Sequence, residues 1–445
     1  MGKRFVLRSL LVIFLLPLFY TPAYSASVGP CCPQNQELRY LLQPPSKAEF
    51  KYQIHYETFF SSCLGKVKNF FLLLPPDFDL GSSQRYPLLI LLHGYNFHRN
   101  GAKGTVCDPK GALDLLCREE EEEFHWLLLE DIAPIAWAMM DAQNKNYRDL
   151  EENLKRRFQE LARYGGLRKK DYRPSEIATS LVEHNLHPNK GLDDPFQPIR
   201  KMIILLPDGD NSFYTDEDEG KRLFPPTGER GGCDAFSPVE CLRISRFRPQ
   251  YMKPGALGRY ESYILELMEY LRKKSPLGGK ILPPPYTGIG GFSMGGYGAL
   301  KIALRRPQLF SSVSSQSGVV DIELLNNKLV LKTLMPEFLE VFGHLEPMAL
   351  PSSSTINEAY RREHNPLRLL REGKGRGLRD KIYVDYGAGE RLQSIMEGNK
   401  KLDAALGGAS RMISVQPYNG KAAHNHLFWR SRLGNVLEHH SRCLK

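Results

Sequence analysis

The sequence predicts an α/β fold, with a mostly parallel central sheet and helices on both faces. Three observations lead there. Short runs that are apolar on every side, Leu88–Leu92 (LLILL) and Lys201–Pro207 (KMIILLP), suit strands buried on both faces. Other segments, such as Arg259–Lys274 (RYESYILELMEYLRKK), repeat apolar residues at i, i+3, i+4 and i+7, the pattern of an amphipathic helix. The two patterns alternate along the chain, the order that crossover helices between parallel strands require. With 445 residues, 42% of them apolar, the chain can bury one large core or two domains.

In chain order, Lys3, Arg4 and Arg8 precede an apolar stretch, Leu10–Tyr20, that is broken by Pro17. Small residues follow at Ala23–Ser27, so residues 1–26 read as a cleaved signal peptide. The apolar run falls short of the roughly 20 residues that span a bilayer, so no stable membrane span is expected. The expected destination is secreted or periplasmic. Eight cysteines (31, 32, 63, 107, 117, 233, 241 and 443) are an even set, suited to disulfides in an oxidising compartment. Cys107 with Cys117 and Cys233 with Cys241 are near enough in sequence to staple local loops. Cys31, Cys32, Cys63 and Cys443 are left to tie the termini to the body. No C-x-x-C pair occurs, so no metal is expected on them. The formal charge of +10 is scattered and accompanies no nucleic-acid motif.

Residues 27–95 form the first part of the main domain. Lys51–Phe60 alternates as a strand, and Val67–Leu74 and Leu88–Leu92 are apolar strands, the last ending in His93-Gly94-Tyr95. Residues 96–200 change character: five glutamates (Glu119–Glu123), an apolar helical run (Phe124–Met140) with Trp126 and Trp137, and a charged helix, Tyr147–Arg163. This stretch reads as a helical insert or lid between two buried strands. The glutamates suit a solvated helix face, and the two tryptophans packing within the insert. From 201 the main domain resumes with the strand Lys201–Pro207 and the loop Asp208–Asp216. The helix Arg259–Lys274 follows, then a strand at Tyr286–Gly290, a helix over 296–306 and a strand at Phe310–Ser314. Residues 319–379 read as irregular and helical surface structure. Strands at Lys381–Tyr386 and Arg411–Gln416, a helix at Leu392–Leu406 and a closing helix at His426–His439 complete the chain.

Between strand and helix lies Gly291-Phe292-Ser293-Met294-Gly295-Gly296, which fits G-x-S-x-G. In that motif a serine occupies a tight, strained turn, and flanking glycines leave it room. A serine hydroxyl is a weak nucleophile and needs a base, which in turn needs an orienting carboxylate. Both are available on later strand-end loops, in the order acid then histidine. Gly387-Ala388-Gly389-Glu390 follows one strand, and Pro417 to His426, with His424 and His426, follows the next. Asp385 is the rival acid, though it should lie within its strand.

With these motifs, LLILLHG, PDGDNSFYTD, GFSMGGYGAL and HNHLFW, the sequence resembles the esterase family that includes tributyrin and feruloyl esterases, S-formylglutathione hydrolase and the antigen 85 mycolyltransferases. The similarity covers residues 65–95 and 200–440 and leaves out the insert. It implies an α/β-hydrolase with Ser293 as nucleophile, His424 as base and Glu390 where the family generally has aspartate. His426 then takes the position of a tryptophan in the family's ending. The oxyanion donors would be the N–H of Met294 and that of Tyr95, or else Gly94; His93 is a structural loop residue. Tyr214 and Asp216 are candidates for lining the substrate pocket. The resemblance implies no cofactor and a small-molecule or polysaccharide-linked acyl ester as substrate. Two other readings stay open: acyl transfer to an alcohol, as in the mycolyltransferases, and a non-catalytic surface binding protein on the same fold.

Overall fold

A computed structural model describes residues 54–95, 132–163, 190–216, 258–325, 358–390, 392–407, 411–415, 424 and 426–444, with a few positions between 175–182 and 338–356. Its centre is an eight-stranded sheet. The strands are β1 (Ile54–Ser61), β2 (Lys66–Leu73), β3 (Leu88–Leu92), β4 (Ile203–Pro207), β5 (Thr287–Gly291), β6 (Ser312–Gln316), β9 (Ile382–Gly387) and β10 (Arg411–Val415). The two-residue strands β7 (Gly343–His344) and β8 (Thr355–Ile356) pair separately. The order in the large sheet is β1-β2-β4-β3-β5-β6-β9-β10. β2 runs antiparallel to β1 and β4, and every pair from β4 to β10 is parallel. This is the sheet of an α/β-hydrolase.

The continuous apolar run of β3 has a simple cause. Leu88, Ile90 and Leu92 enter one core, while Leu89 and Leu91 enter another on the opposite face. Labelled in chain order, the helices are α1 (Tyr147–Arg163), α2 (Tyr260–Lys273), α3 (Met294–Arg305), α4 (Glu358–Glu363), α5 (Pro366–Arg371), α6 (Gln393–Leu406) and α7 (His426–Cys443). α2, α3, α5 and α6 bury apolar residues in the first core. α1, through Leu150, Leu154 and Phe158, and α7, through Phe428, Leu433 and Leu437, fill the second. That spacing of three to five residues places each set on one side of its helix.

Three expectations differ from the structure. The described part of 96–200 is not a cap. Residues 132–140 form a helix that is buried throughout against the sheet, and α1 packs beside it in the same core. Trp137 is buried and donates from Nε1 to Leu74 O (3.1 Å), while Ile199 N–H donates to Met139 O (2.9 Å). These residues are the crossover from β3 to β4; Trp126 and the glutamate run lie outside the described residues. Nor is 319–379 only surface structure: Val319, Val320, Ile322, Leu367, Leu370 and Leu378 belong to the first core. Cys63 is a free thiol, so the bridge expected of it is not formed. The pairs Cys107/Cys117 and Cys233/Cys241, and residues 1–26, lie outside the described residues. Among the described residues, no helix is long and apolar enough to cross a membrane.

Candidate active site

The chain winds from β3 toward β4 on one side and then resumes with β5 on the other. In such sheets a crevice forms where the order reverses, outside the carboxyl ends of the strands. β3 and β5 are direct neighbours, with Leu92 opposite Gly291. The His93-Gly94-Tyr95 loop and the Ser293 turn therefore leave the sheet side by side.

Ser293 stands between β5 and α3 at φ 51° and ψ −114°. A non-glycine residue held there costs on the order of 1–3 kcal/mol. The turn is fixed on three sides: Ser293 N–H donates to Gln316 O (2.8 Å), Gly295 N–H to Phe292 O (2.7 Å), and Tyr297 N–H to Ser293 O (3.0 Å). The glycines are required by close approach. A Cβ on Gly295 would lie 2.1 Å from Leu92 O and 2.6 Å from His93 O, and one on Gly291 would lie 2.5 Å from the Gly295 carbonyl carbon. All of these are backbone atoms that cannot swing aside.

His424 Nε2 lies 2.8 Å from Ser293 Oγ, and His424 Nδ1 lies 2.9 Å from Glu390 Oε2. A carboxylate only accepts, so Nδ1 carries the proton and Nε2 is left to accept the serine O–H. The Glu390 carboxyl is fully buried, and its other oxygen accepts from Leu392 N–H at 3.2 Å. The edge-on ring of Trp429, 5.0 Å away at 88°, flanks the imidazole. His426 is the first residue of α7. Asp385 lies inside β9, fully buried. It accepts from Tyr383 Oη at 2.8 Å and from Arg432 Nε at 3.3 Å, away from His424. Burial raises its pKa, and the Arg432 guanidinium opposes that rise.

Met294 opens α3, so its N–H is among those without a partner in the preceding turn. Gly94 is buried and Tyr95 half-buried beyond the end of β3. Tyr214 and Asp216, the candidates for lining a substrate pocket, both make hydrogen bonds within the protein. Tyr214 is fully buried; its O–H donates to His93 O (3.1 Å), and burial pushes its pKa well above 10. Asp216 accepts from Ser262 N–H (2.9 Å) and Ser262 Oγ (2.6 Å), at the start of α2.

A group that the sequence reading missed lies behind the site. Lys68, buried in β2, contacts Asp208 (3.0 Å) and Asp210 (2.9 Å), and Tyr260 Oη also donates to Asp210. Burial lowers the Lys68 pKa, but the two carboxylates outweigh it and hold it above the usual value. Lys301, buried on α3, donates to Tyr214 O and Thr215 Oγ1 (2.9 Å) and pairs with Glu261 (3.2 Å). Among the described residues, no three His, Cys, Asp or Glu side chains converge to hold a metal.

The strand order and the parallel pairing define an α/β-hydrolase fold. Residues 226–434 match the model of the Esterase family, described as "Putative esterase". Among solved structures, a ferulic acid esterase is 15% identical over 89% of this chain and 100% of its own, with a TM-score of 0.45. S-formylglutathione hydrolase (FrmB) from Staphylococcus aureus is 15% identical over 87% and 99% (TM-score 0.42). MPT51 (FbpC1) of Mycobacterium tuberculosis is 10% identical over 88% and 99% (TM-score 0.44). The fold assignment rests on the strand order. No curated protein matches the sequence.

Proposed function

We propose that the chain is a serine carboxylesterase that works through an acyl-Ser293 intermediate. The observation that carries this reading is the hydrogen-bonded line from Glu390 through His424 to Ser293 at the strained turn after β5. As Ser293 Oγ attacks the ester carbonyl carbon, His424 Nε2 takes the hydroxyl proton. The carbonyl π pair moves to oxygen, which becomes an oxyanion held by the N–H of Met294 and that of Tyr95, with Gly94 the alternative. Collapse re-forms the carbonyl and breaks the bond to the alkoxide, which leaves with the proton from His424. Water then attacks the acyl-serine, with His424 as base, and releases the carboxylic acid. Glu390 stays ionised throughout and stabilises the imidazolium.

The substrate we favour is a short-chain or carbohydrate-linked acyl ester, cleaved without a cofactor by a protein exported after loss of residues 1–26. The test is hydrolysis of p-nitrophenyl acetate, butyrate and octanoate by the chain lacking residues 1–26, beside Ser293→Ala. Turnover lost in the variant supports the reading, and the chain-length trend reports the depth of the acyl pocket. A wild type that neither turns over these esters nor is labelled by a fluorophosphonate refutes it.

A further inference from the structure

We infer that His93 is a positioning residue of this esterase: a neutral imidazole that locks the oxyanion-donor loop onto the loop after β4. The inference rests on the esterase reading above and deepens it. A backbone N–H works as a preset donor only where its loop cannot relax when charge develops on the substrate oxygen. Tyr95 stands three residues past the end of β3, and hydrogen bonds to and from His93 hold the turn that carries it. Gly209 N–H donates to His93 Nε2 at 2.9 Å. His93 Nδ1 lies 2.8 Å from Gly94 O, and Tyr214 O–H donates to His93 O at 3.1 Å.

The chemistry of these partners fixes the state of the ring. An amide N–H only donates, so Nε2 must be the bare nitrogen. The proton then sits on Nδ1, where the Gly94 carbonyl accepts it. The charged Asp208 Oδ1 lies 3.7 Å from Nε2. Protonating Nε2 would set N–H against N–H and break the contact with Gly209.

The loop on the other side of the contact is rigid enough to serve as an anchor. Asp210, Phe213 and Tyr214 all have positive φ (47°, 54° and 49°), a conformation that persists only when the surroundings over-determine it. Lys68 holds its start through Asp208 and Asp210, Lys301 holds Tyr214 O and Thr215, and Ser262 holds Asp216. The Tyr214 ring lies across Gly209 and Gly298, where a Cβ would approach it to 2.1 and 2.6 Å. Gly298 is on α3, the helix that Met294 opens. The His93 carbonyl held by Tyr214 also abuts Gly295 of the nucleophile turn. One imidazole thus ties both proposed oxyanion donors, Met294 N–H and Tyr95 N–H, to a single frame.

The experiment compares wild type, His93→Phe, His93→Gln and Tyr214→Phe by kcat and KM on p-nitrophenyl butyrate, with thermal midpoints to establish folding. His93→Phe keeps the bulk and loses both ring bonds; its kcat should fall about 10²-fold, the cost of one misplaced oxyanion donor, with KM changed less than about 3-fold. His93→Gln can accept from Gly209 through Oε1 and should recover to within about tenfold of wild type, while Tyr214→Phe should lose about tenfold. A folded His93→Phe with kcat within about 3-fold of an active wild type overturns the inference alone. A wild type without turnover or fluorophosphonate labelling overturns the esterase reading, and the inference with it. Should His93→Phe not fold, ¹⁵N NMR of the wild-type imidazole decides: a bare, hydrogen-bonded Nε2 at neutral pH supports the inference, and a protonated Nε2 overturns it.

Discussion

Replacing Glu390 with glutamine removes the charge of the proposed acid while nearly keeping its shape. Glu390 Oε2 lies 2.9 Å from His424 Nδ1, and the carboxyl has no exposed surface. With charge centres ~4 Å apart and an effective dielectric of about 20, its attraction for the imidazolium formed during catalysis is about 4 kcal/mol. Lost from the transition state alone, that is roughly a 10³-fold drop in kcat. The glutamine can also turn its NH2 toward Nδ1 and favour the wrong tautomer, which in a serine protease triad costs about 10⁴. We therefore expect kcat on p-nitrophenyl butyrate to fall about 10³- to 10⁴-fold, with KM little changed and the thermal midpoint retained. Glu390→Asp keeps the charge but withdraws it by one methylene, and should fall between wild type and Glu390→Gln. Asp385→Asn is the control, since Asp385 is occupied by Tyr383 and Arg432. It should alter stability and leave kcat within about 3-fold of wild type. The assignment is wrong if a folded Asp385→Asn is inactive while Glu390→Gln keeps more than a tenth of the activity.

Three further outcomes follow from the packing. In Gly295→Ala the new methyl meets two backbone oxygens of the loop after β3, so the variant should lose at least about 3 kcal/mol or fail to fold; a urea midpoint equal to that of wild type would contradict the geometry. Lys68→Met leaves Asp208 and Asp210 buried without their cation and should cost about 3–5 kcal/mol in chemical denaturation, with much of the loss regained when both aspartates become asparagine. His440 is fully buried between Ser312 Oγ (2.6 Å) and Ser314 Oγ (2.9 Å), and burial drives its pKa well below 6.5. The unfolded chain then binds a proton that the fold refuses. The stabilising contribution is whole above pH ~6.5 and falls by about 1.4 kcal/mol per unit as pH drops toward the folded value. His440→Gln should flatten the urea-midpoint profile between pH 7 and 5, and identical slopes would exclude His440 as the source.

Most strands were legible because burial on both faces demands unbroken apolar runs, as at Leu88–Leu92, and because α1 and α2 carry apolar residues on one side only. The described part of 96–200 differs from the expected lid for a related reason. Residues 132–140 are buried all round, and their lack of a polar face could not separate a lid from a crossover helix packed under the sheet. The serine turn was legible because close backbone approach admits only glycine at 291 and 295. Tyr214 and Asp216 were read as available to a substrate because a polar residue in a strand-end loop carries no local sign of its partners. Both spend their hydrogen bonds inside the protein. The contact of Lys68 with Asp208 and Asp210 joins residues about 140 positions apart, and no local pattern announces it.

These long-range contacts bear on where the fold tolerates strain. Among the described residues, six non-glycine residues have positive φ, and five of them lie in loops after parallel strands: Asp210, Phe213 and Tyr214 after β4, Ser293 after β5 and Ser317 after β6. At about 1–3 kcal/mol each, such a cluster would open unless its neighbours held it closed. The restraints converge on the same edge of the sheet. Lys68 and Lys301 grip the loop after β4, Gln316 O takes the Ser293 amide, and Asp385 O takes the Ser317 amide at 2.8 Å. Each restraint comes from an element rooted in the sheet or its first helix layer, where it cannot yield without disturbing the core. Strain concentrated in the loops beside Ser293, and opposed by buried charge, is what the proposed preset site for acyl transfer requires. A fold used only to present a binding surface has no need to hold three adjacent loops in this way.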